Sequence, residues 1–432
     1  METKTLSIKK LDFIAVFSIF ILSYIVYFLG CKELLAIGFY EQINIAFDLD
    51  QSWYFDFVAR DTIDWQFKQA TDVRPLAIKH PFIYLYHYIV IILNTVGISD
   101  NISVIVISQA FHSGSLLVSF YIFRSMGRGT LDASLLTIGL AGTSAYISTG
   151  LVLDVYTISI FWISLIFLIV SRYVNQNSEC PIWVRAFISV MAIGTTSYLL
   201  ILVFLMEYSL VKNKGSTYLK SFININLYKQ LIRVFIIGII LFVFVYFQTI
   251  IDIIQDPVGI LKRTFWTVSR PGEKTGTFQV ITVFTIFSIV SPKVSNIVLP
   301  EGITMIDLRL MEFNYIGWTV IAILAVSVVF RCKKNEHRFI LLFCLVWLIF
   351  NILFHTIYQY RSSLFLYSGH FVLAVWLLYS FPLNSSGFNG NRQGVLYQWM
   401  DKLIIYILPL LIWGNNFYLF QELIIISEIG IQ

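Results

Sequence analysis

Charged side chains are scarce in this chain. Asp, Glu, Lys and Arg make up 13% of its 432 residues, about half the share of a soluble domain. Together with an apolar fraction of 58%, that scarcity excludes a cytosolic enzyme, a disordered chain and a collagen-like chain. Cysteine is equally sparse. Cys31, Cys180, Cys332 and Cys344 share no pair spacing, so they read as single buried or interfacial thiols and give no case for a disulfide framework or a zinc site. Internal repeats, low-complexity tracts and a soluble domain are missing. No Walker motif, GxGxxG or GxSxG precedes a candidate helix, so an activated donor has to come from elsewhere.

What remains is dominated by long apolar runs. They fall at residues 11–30, 103–124, 131–153, 158–174, 186–211, 234–254, 315–330, 339–358, 364–381 and 403–420. The run at 186–211 allows either one span or two short half-helices. Two further stretches, 82–98 and 278–290, are shorter and read as interfacial or re-entrant. The expectation is an all-α polytopic membrane protein of about 10–12 transmembrane helices, forming a single integral membrane domain over residues 1–432. The basic N-terminus precedes an apolar run too long for a signal peptide, so an uncleaved first span with its N-terminus inside is expected.

Charge tests this layout. Of the 30 Lys and Arg residues, 18 fall in segments assigned to the inside, as the positive-inside rule requires. Of the 25 acids, 18 fall outside, concentrated in two loops. The first outer loop, 31–98, carries Asp48, Asp50, Asp56, Asp61, Asp64 and Asp72, and the second, 255–314, carries Lys262, Arg263, Arg270, Lys274, Lys293 and Arg309. The inside stretch 212–233 is basic and amphipathic, and reads as an interfacial helix on anionic lipid.

Four constellations carry possible chemistry. Asp48 and Asp50 lie in FDLDQSWYFD, ringed by Trp53, Tyr54, Phe55 and Phe57. Carboxylates held near low dielectric suit acid–base work or a divalent cation, and a solvated acidic loop is the plain alternative. Arg74, Lys79 and His80 precede a proline that opens an aromatic helix. Such donors suit a phosphate, or they simply snorkel at an interface. Asp154 stands at a tight turn between two runs, an ordinary place for an acid. Arg361, Tyr367, Ser368 and His370 close the series, with His370 inside an apolar segment, where an ionisable residue is a functional candidate or a satisfied core histidine. His87, His112, His337 and His355 show no metal spacing and take the structural reading.

In order and sidedness these constellations resemble the GT-C superfamily of polytopic glycosyltransferases, such as protein O-mannosyltransferases and lipid A aminoarabinose transferases. Asp50-Gln51-Ser52-Trp53-Tyr54 looks like the family's Asp-Glu-x-x-Tyr motif, with Gln51 in place of the second acid. Lys79-His80-Pro81 looks like its His/Lys-Pro motif, Arg124-Ser125-Met126-Gly127-Arg128 like its cytosolic turn, and Leu153-Asp154-Val155-Tyr156 like its second acidic motif. The resemblance covers the first ~175 residues through these motifs and the remainder through hydropathy and layout.

The resemblance implies an inverting hexosyltransferase. Its donor is a polyprenyl-phosphate-linked sugar and its acceptor a lipid-linked glycan such as the O-antigen of lipopolysaccharide. It implies a bacterial inner membrane, a cytoplasmic N-terminus and an active site on the periplasmic face. Asp50 is then the general base, and Asp154 orients the acceptor or the surroundings of Asp50. Lys79, His80, Arg74, Arg361 and His370 hold the phosphate with Tyr54 beside them, and Arg263 and Arg270 are weaker candidates. No cofactor is expected. Gln51 argues against a metal, for which Asp48 is the acid able to replace the missing one. Membrane lipids are partners and nucleic acid is not. Two alternatives stand beside this reading, an O-antigen or capsule polymerase and a polysaccharide or lipid transporter. The transporter requires two related halves with broken helices and mid-membrane charges, which this sequence lacks.

Overall fold

The structure is a computed structural model. It describes residues 10–41, 51–59, 80, 82–83, 85–176, 178, 180–212, 225–245, 276–298, 304–307, 311–331, 338–357, 364–380 and 392–429. Among these, five helices are long and apolar enough to cross a membrane: Lys10–Ala36, Asp100–Ser125, Val155–Gln176, Phe339–Ile357 and Gln398–Leu423.

The chain opens with α1 (Lys10–Ala36), then the short α2 (Gln51–Ala59) and α3 (Leu85–Thr95). The centre of the bundle is α4 (Asp100–Ser125), which packs against α1, α2, α3, α5 and α7. Its sequence explains this position. Ser103, Ser108, Ser113, Gly114, Ser115 and Ser119 are all buried, and small side chains let helices approach closely where no water drives their association. At Gly114 an added Cβ would sit 3.2 Å from the ring of Phe161. The buried α7 (Val155–Gln176) packs along α4, whereas α1 turns mostly apolar side chains outward.

The run 131–153, expected as one span, is broken into α5 (Thr130–Ala141) and α6 (Ser144–Leu151). The break falls at Gly142 and Thr143, and distant groups satisfy the backbone it frees. Asn416 Nδ2 donates to the carbonyls of Gly142 (2.8 Å) and Ile289 (2.7 Å), and Tyr27 donates to Ala141 O (2.7 Å). The first amides of α6 donate to a neighbouring segment, Ser144 N to Ile289 O and Ala145 N to Ser288 O. Irregular backbone at membrane depth survives only where protein groups take up its hydrogen bonds.

The run 186–211 forms two half-helices, α8 (Ile182–Thr195) and α9 (Leu200–Lys212), joined by a 3₁₀ turn. Of the stretch expected as an interfacial helix, residues 225–233 begin α10 (Ile225–Val245), Lys212 ends α9, and 213–224 lie outside the described residues. After α11 (Thr277–Thr282) comes one π-helical turn, and then the strands β1 (Ser295–Val298) and β2 (Thr304–Asp307) pair antiparallel with Ser295 opposite Asp307. This short ladder is the departure from the expected all-helical chain. Then follow α12 (Tyr315–Arg331) and α13 (Arg338–Ile357). The run 364–381, expected as a span, is a 3₁₀ turn, Phe365–His370, followed by the nine-residue α14 (Val372–Ser380). Nine helical residues extend only about 14 Å, too short to cross. The chain closes with α15 (Arg392–Lys402), a π turn and α16 (Leu408–Ile429).

The turn Arg124–Arg128 staples one end of the bundle. Arg124 Nη2 pairs with Asp12 of α1 at 3.0 Å, and Thr130 donates to the same carboxylate. Arg128 forms a two-pronged pair with Asp401 of α15, one prong at 2.8 Å, and also donates to Ser380 O of α14 (3.1 Å). Thus one turn fastens the first, fifth, fourteenth and fifteenth helices. Removing one partner leaves a charge stranded with little water. Asp401→Ala should therefore lower stability by about 3 kcal/mol, read as thermal unfolding of the detergent-solubilised chain. The double variant Arg128→Met/Asp401→Leu should recover most of that loss. A double variant as unstable as the single one would show that the pairing itself supplies the stability.

Candidate functional site

The opposite ends of α4 and α7 gather parts of all four sequence constellations. Asp48, Asp50, Arg74, Lys79 and Arg361 lie outside the described residues, whereas Tyr54, His80, Asp154 and His370 lie within them.

Tyr54 sits on the buried face of α2 with Phe55 and Val58. Its hydroxyl is 2.9 Å from Ser108 Oγ of α4. Phe55 stacks on Tyr40 at 4.5 Å, and His87 Nδ1 donates to Val58 O at 2.9 Å, which ties α2 to α3. Burial raises the Tyr54 phenol above its ordinary range, with the nearby Asp154 carboxylate adding to the shift. Tyr54 of the first constellation and Asp154 of the third therefore lie close enough to influence each other's charge.

Asp154 occupies the turn between α6 and α7. Its Oδ1 accepts the Val155 amide at 2.6 Å, and its own amide donates to Thr157 Oγ1 at 3.2 Å. The carboxylate thus caps α7, where a helix N-terminus favours negative charge. An aspartate fixed by a cap presents its charge at a set position, so the structural and functional readings of this residue are compatible.

His80 is held by the broken end of α8. Its Nδ1 donates to Thr195 O at 2.8 Å, and the Phe82 amide donates to Gly194 O at 2.6 Å. Gly194 is required by this approach, because any Cβ there would overlap the ring of Phe82. Tyr86 adds a buried chain, accepting from Trp162 Nε1 at 2.9 Å and lying 3.4 Å from Thr195 Oγ1.

His370 ends the 3₁₀ turn and is 1% exposed. Trp347 Nε1 donates to its carbonyl at 2.9 Å, fixing the turn against α13. The rings of Tyr156 and Tyr198 meet the imidazole edge-on at 4.5 and 4.7 Å. Gly369 lets the turn come this close, since a Cβ there would lie 2.8 Å from Thr149 Cγ2. Burial, then the nearby imidazoles of His355 and His80, disfavour a proton on His370. Among the described residues neither of its ring nitrogens has a hydrogen-bond partner, and neither does the buried hydroxyl of Ser368. Each buried polar group left this way costs about 1–3 kcal/mol.

Sequence reading assigned His355 a purely structural place. The structure stacks it on Tyr367 at 4.0 Å and brings it beside His370. Tyr198 links α13 to the turn: it stacks on Trp347 and Phe354 and donates to Asn351 Oδ1 at 3.2 Å. A signal for both was present. His355 falls at the end of an apolar run, fifteen residues before His370, and Tyr198 follows a Thr-Thr-Ser interruption within another run.

The arrangement thus offers a capped carboxylate, buried phenols and three imidazoles, walled by aromatic rings. Among the described residues no group of three His, Cys, Asp or Glu side chains is placed to hold a metal ion. No family model matches the chain, and no curated protein matches it.

Because Gly194 admits Phe82 and His80 together, Gly194→Ala should release the segment that bears them. Hydrogen–deuterium exchange of the intact chain should show faster exchange across residues 80–90, with α4 unchanged. Unaltered protection at 80–90 would mean that the Gly194 contact does not fix His80.

Proposed function

We propose that the chain is an inverting membrane glycosyltransferase of the GT-C type. It transfers a hexose from a polyprenyl-phosphate donor to a lipid-linked glycan such as O-antigen, at the periplasmic face of a bacterial inner membrane. The observation that carries this reading is the meeting of Tyr54, His80, Asp154 and His370. They come from four separate segments and gather at the end of the bundle opposite the Arg124–Arg128 turn. That turn is basic, as expected of a cytoplasmic face, and this supports a periplasmic position for the residues at the other end.

The chemistry follows from the residue types. Asp50 takes the proton of the acceptor hydroxyl as its oxygen attacks the anomeric carbon. The bond from that carbon to the phosphate oxygen breaks in the same displacement, so the configuration inverts. Polyprenyl phosphate leaves as an anion, and the cationic groups Lys79, Arg74 and Arg361 stabilise the charge that develops on its oxygens. Asp154, fixed by its cap, orients the acceptor or the surroundings of Asp50. A polymerase does not require the early acidic loop, and a transporter does not require a base at the rim.

Mass spectrometry of surface glycan repeats tests the proposal, comparing cells with the wild-type chain, Asp50→Ala and no chain. The repeat should gain the mass of one hexose only with the wild type, while Asp50→Ala accumulates to the same protein level. A change of chain length at constant repeat composition would instead identify a polymerase. Full addition by Asp50→Ala would remove Asp50 as the base.

A further inference from the structure

His370 combines three features that rarely coincide. Its imidazole is almost wholly buried, it is edged by two tyrosine rings, and both of its nitrogens lack a hydrogen-bond partner among the described residues. Buried polar groups in folded proteins are nearly always satisfied, so such an exception points to a ligand or to strain. The turn that carries it is held in place: Trp347 anchors its carbonyl and Gly369 admits its close approach to Thr149 and Tyr156.

The surroundings select the ligand. A phosphate is held by cationic donors in fixed geometry. The groups around His370 are instead the rings of Tyr156 and Tyr198, the nearby imidazoles of His355 and His80, and the unpartnered hydroxyl of Ser368 on the same turn. Burial and both imidazoles work against a positive charge here. Aromatic walls with a few uncharged donors and acceptors match a pyranose, whose C–H faces pack on rings and whose hydroxyls both give and accept hydrogen bonds.

We infer that His370, flanked by Tyr156 and Tyr198, recognises the sugar of the lipid-linked donor rather than its phosphate. This rests on the glycosyltransferase reading. It makes His370 a specificity-determining residue, and it leaves the phosphate to Lys79, Arg74 and Arg361. His355 belongs to the same subsite as a positioning residue: it stacks on Tyr367, three positions before His370 on the turn.

The test uses the full chain in lipid nanodiscs and four probes: undecaprenyl phosphate, and its glucosyl, galactosyl and mannosyl phosphodiesters. Dissociation constants are measured for each. The wild type should bind at least one hexosyl lipid more tightly than the bare phosphate. His370→Phe keeps a ring but removes both nitrogens, and it should cut that preference by about tenfold, the worth of one hydrogen bond, with affinity for bare undecaprenyl phosphate unchanged. His370→Gln keeps an uncharged donor and acceptor and should fall between. If His370→Phe does not fold, Tyr156→Leu carries the same expectation, since it removes one wall.

Equal weakening of the bare and hexosyl lipids would assign His370 to the phosphate and overturn the inference while sparing the glycosyltransferase reading. Unchanged binding of all four lipids would make it a core histidine, with the same consequence. A wild type that binds the bare lipid and every hexosyl lipid equally would remove the sugar subsite but keep the donor phosphate site. A wild type that binds none of the four would remove both.

Discussion

Wherever a helix breaks inside an apolar bundle, its freed backbone groups need a protein partner, because lipid offers none. This constraint shapes the whole structure. At the α5–α6 break, Asn416 and the 288–289 backbone meet the need. At the end of α6, Gln109 donates to Gly150 O and Tyr40 to Leu151 O. At the end of α8 the partner is His80, and at the 3₁₀ turn before α14 it is Trp347. Each answer comes from another element, at separations from 23 residues (Trp347 to His370) to 274 (Asn416 to Gly142), so each break ties separate elements together.

The candidate site grows out of these breaks. Continuous helices present side chains on their flanks, whereas a break turns backbone and side chains toward a common space. Asp154 caps the turn after one break, His80 docks on a second, and His370 stands on a third. The small residues Gly194 and Gly369 matter for the same reason, since each allows a ring or a turn to approach where a methyl group would not fit. At the other end of the bundle, Arg124 and Arg128 do comparable work with charge, joining helices that begin and end the chain.

The parts of the fold legible from sequence were those governed by length and hydropathy. The long runs at α1, α4, α7 and α13 became helices close to their expected bounds, and the run interrupted by Thr195, Thr196 and Ser197 formed the two half-helices that its polar centre allowed. The break at Gly142 was hidden, because Ala141-Gly142-Thr143-Ser144 is small and mildly apolar and reads as helix. It breaks where Asn416, more than 270 positions later, holds the carbonyl of Gly142. The turn at 365–370 was hidden in the same way, inside a run whose hydropathy suited a span. Within the site, residue type and position picked out Tyr54, His80, Asp154 and His370, but His355 and Tyr198 looked ordinary until their neighbours were known.

By itself, the sequence determined that this is a helical chain built for an apolar environment. Composition and run length decide such things locally, through the transfer of side chains from water. Tertiary structure alone decided which breaks are stable, which histidines meet, and that His370 is buried with its nitrogens unpartnered. Those outcomes depend on hydrogen bonds and ring contacts between separate elements, some of them more than 200 residues apart, and no local pattern encodes such a partner.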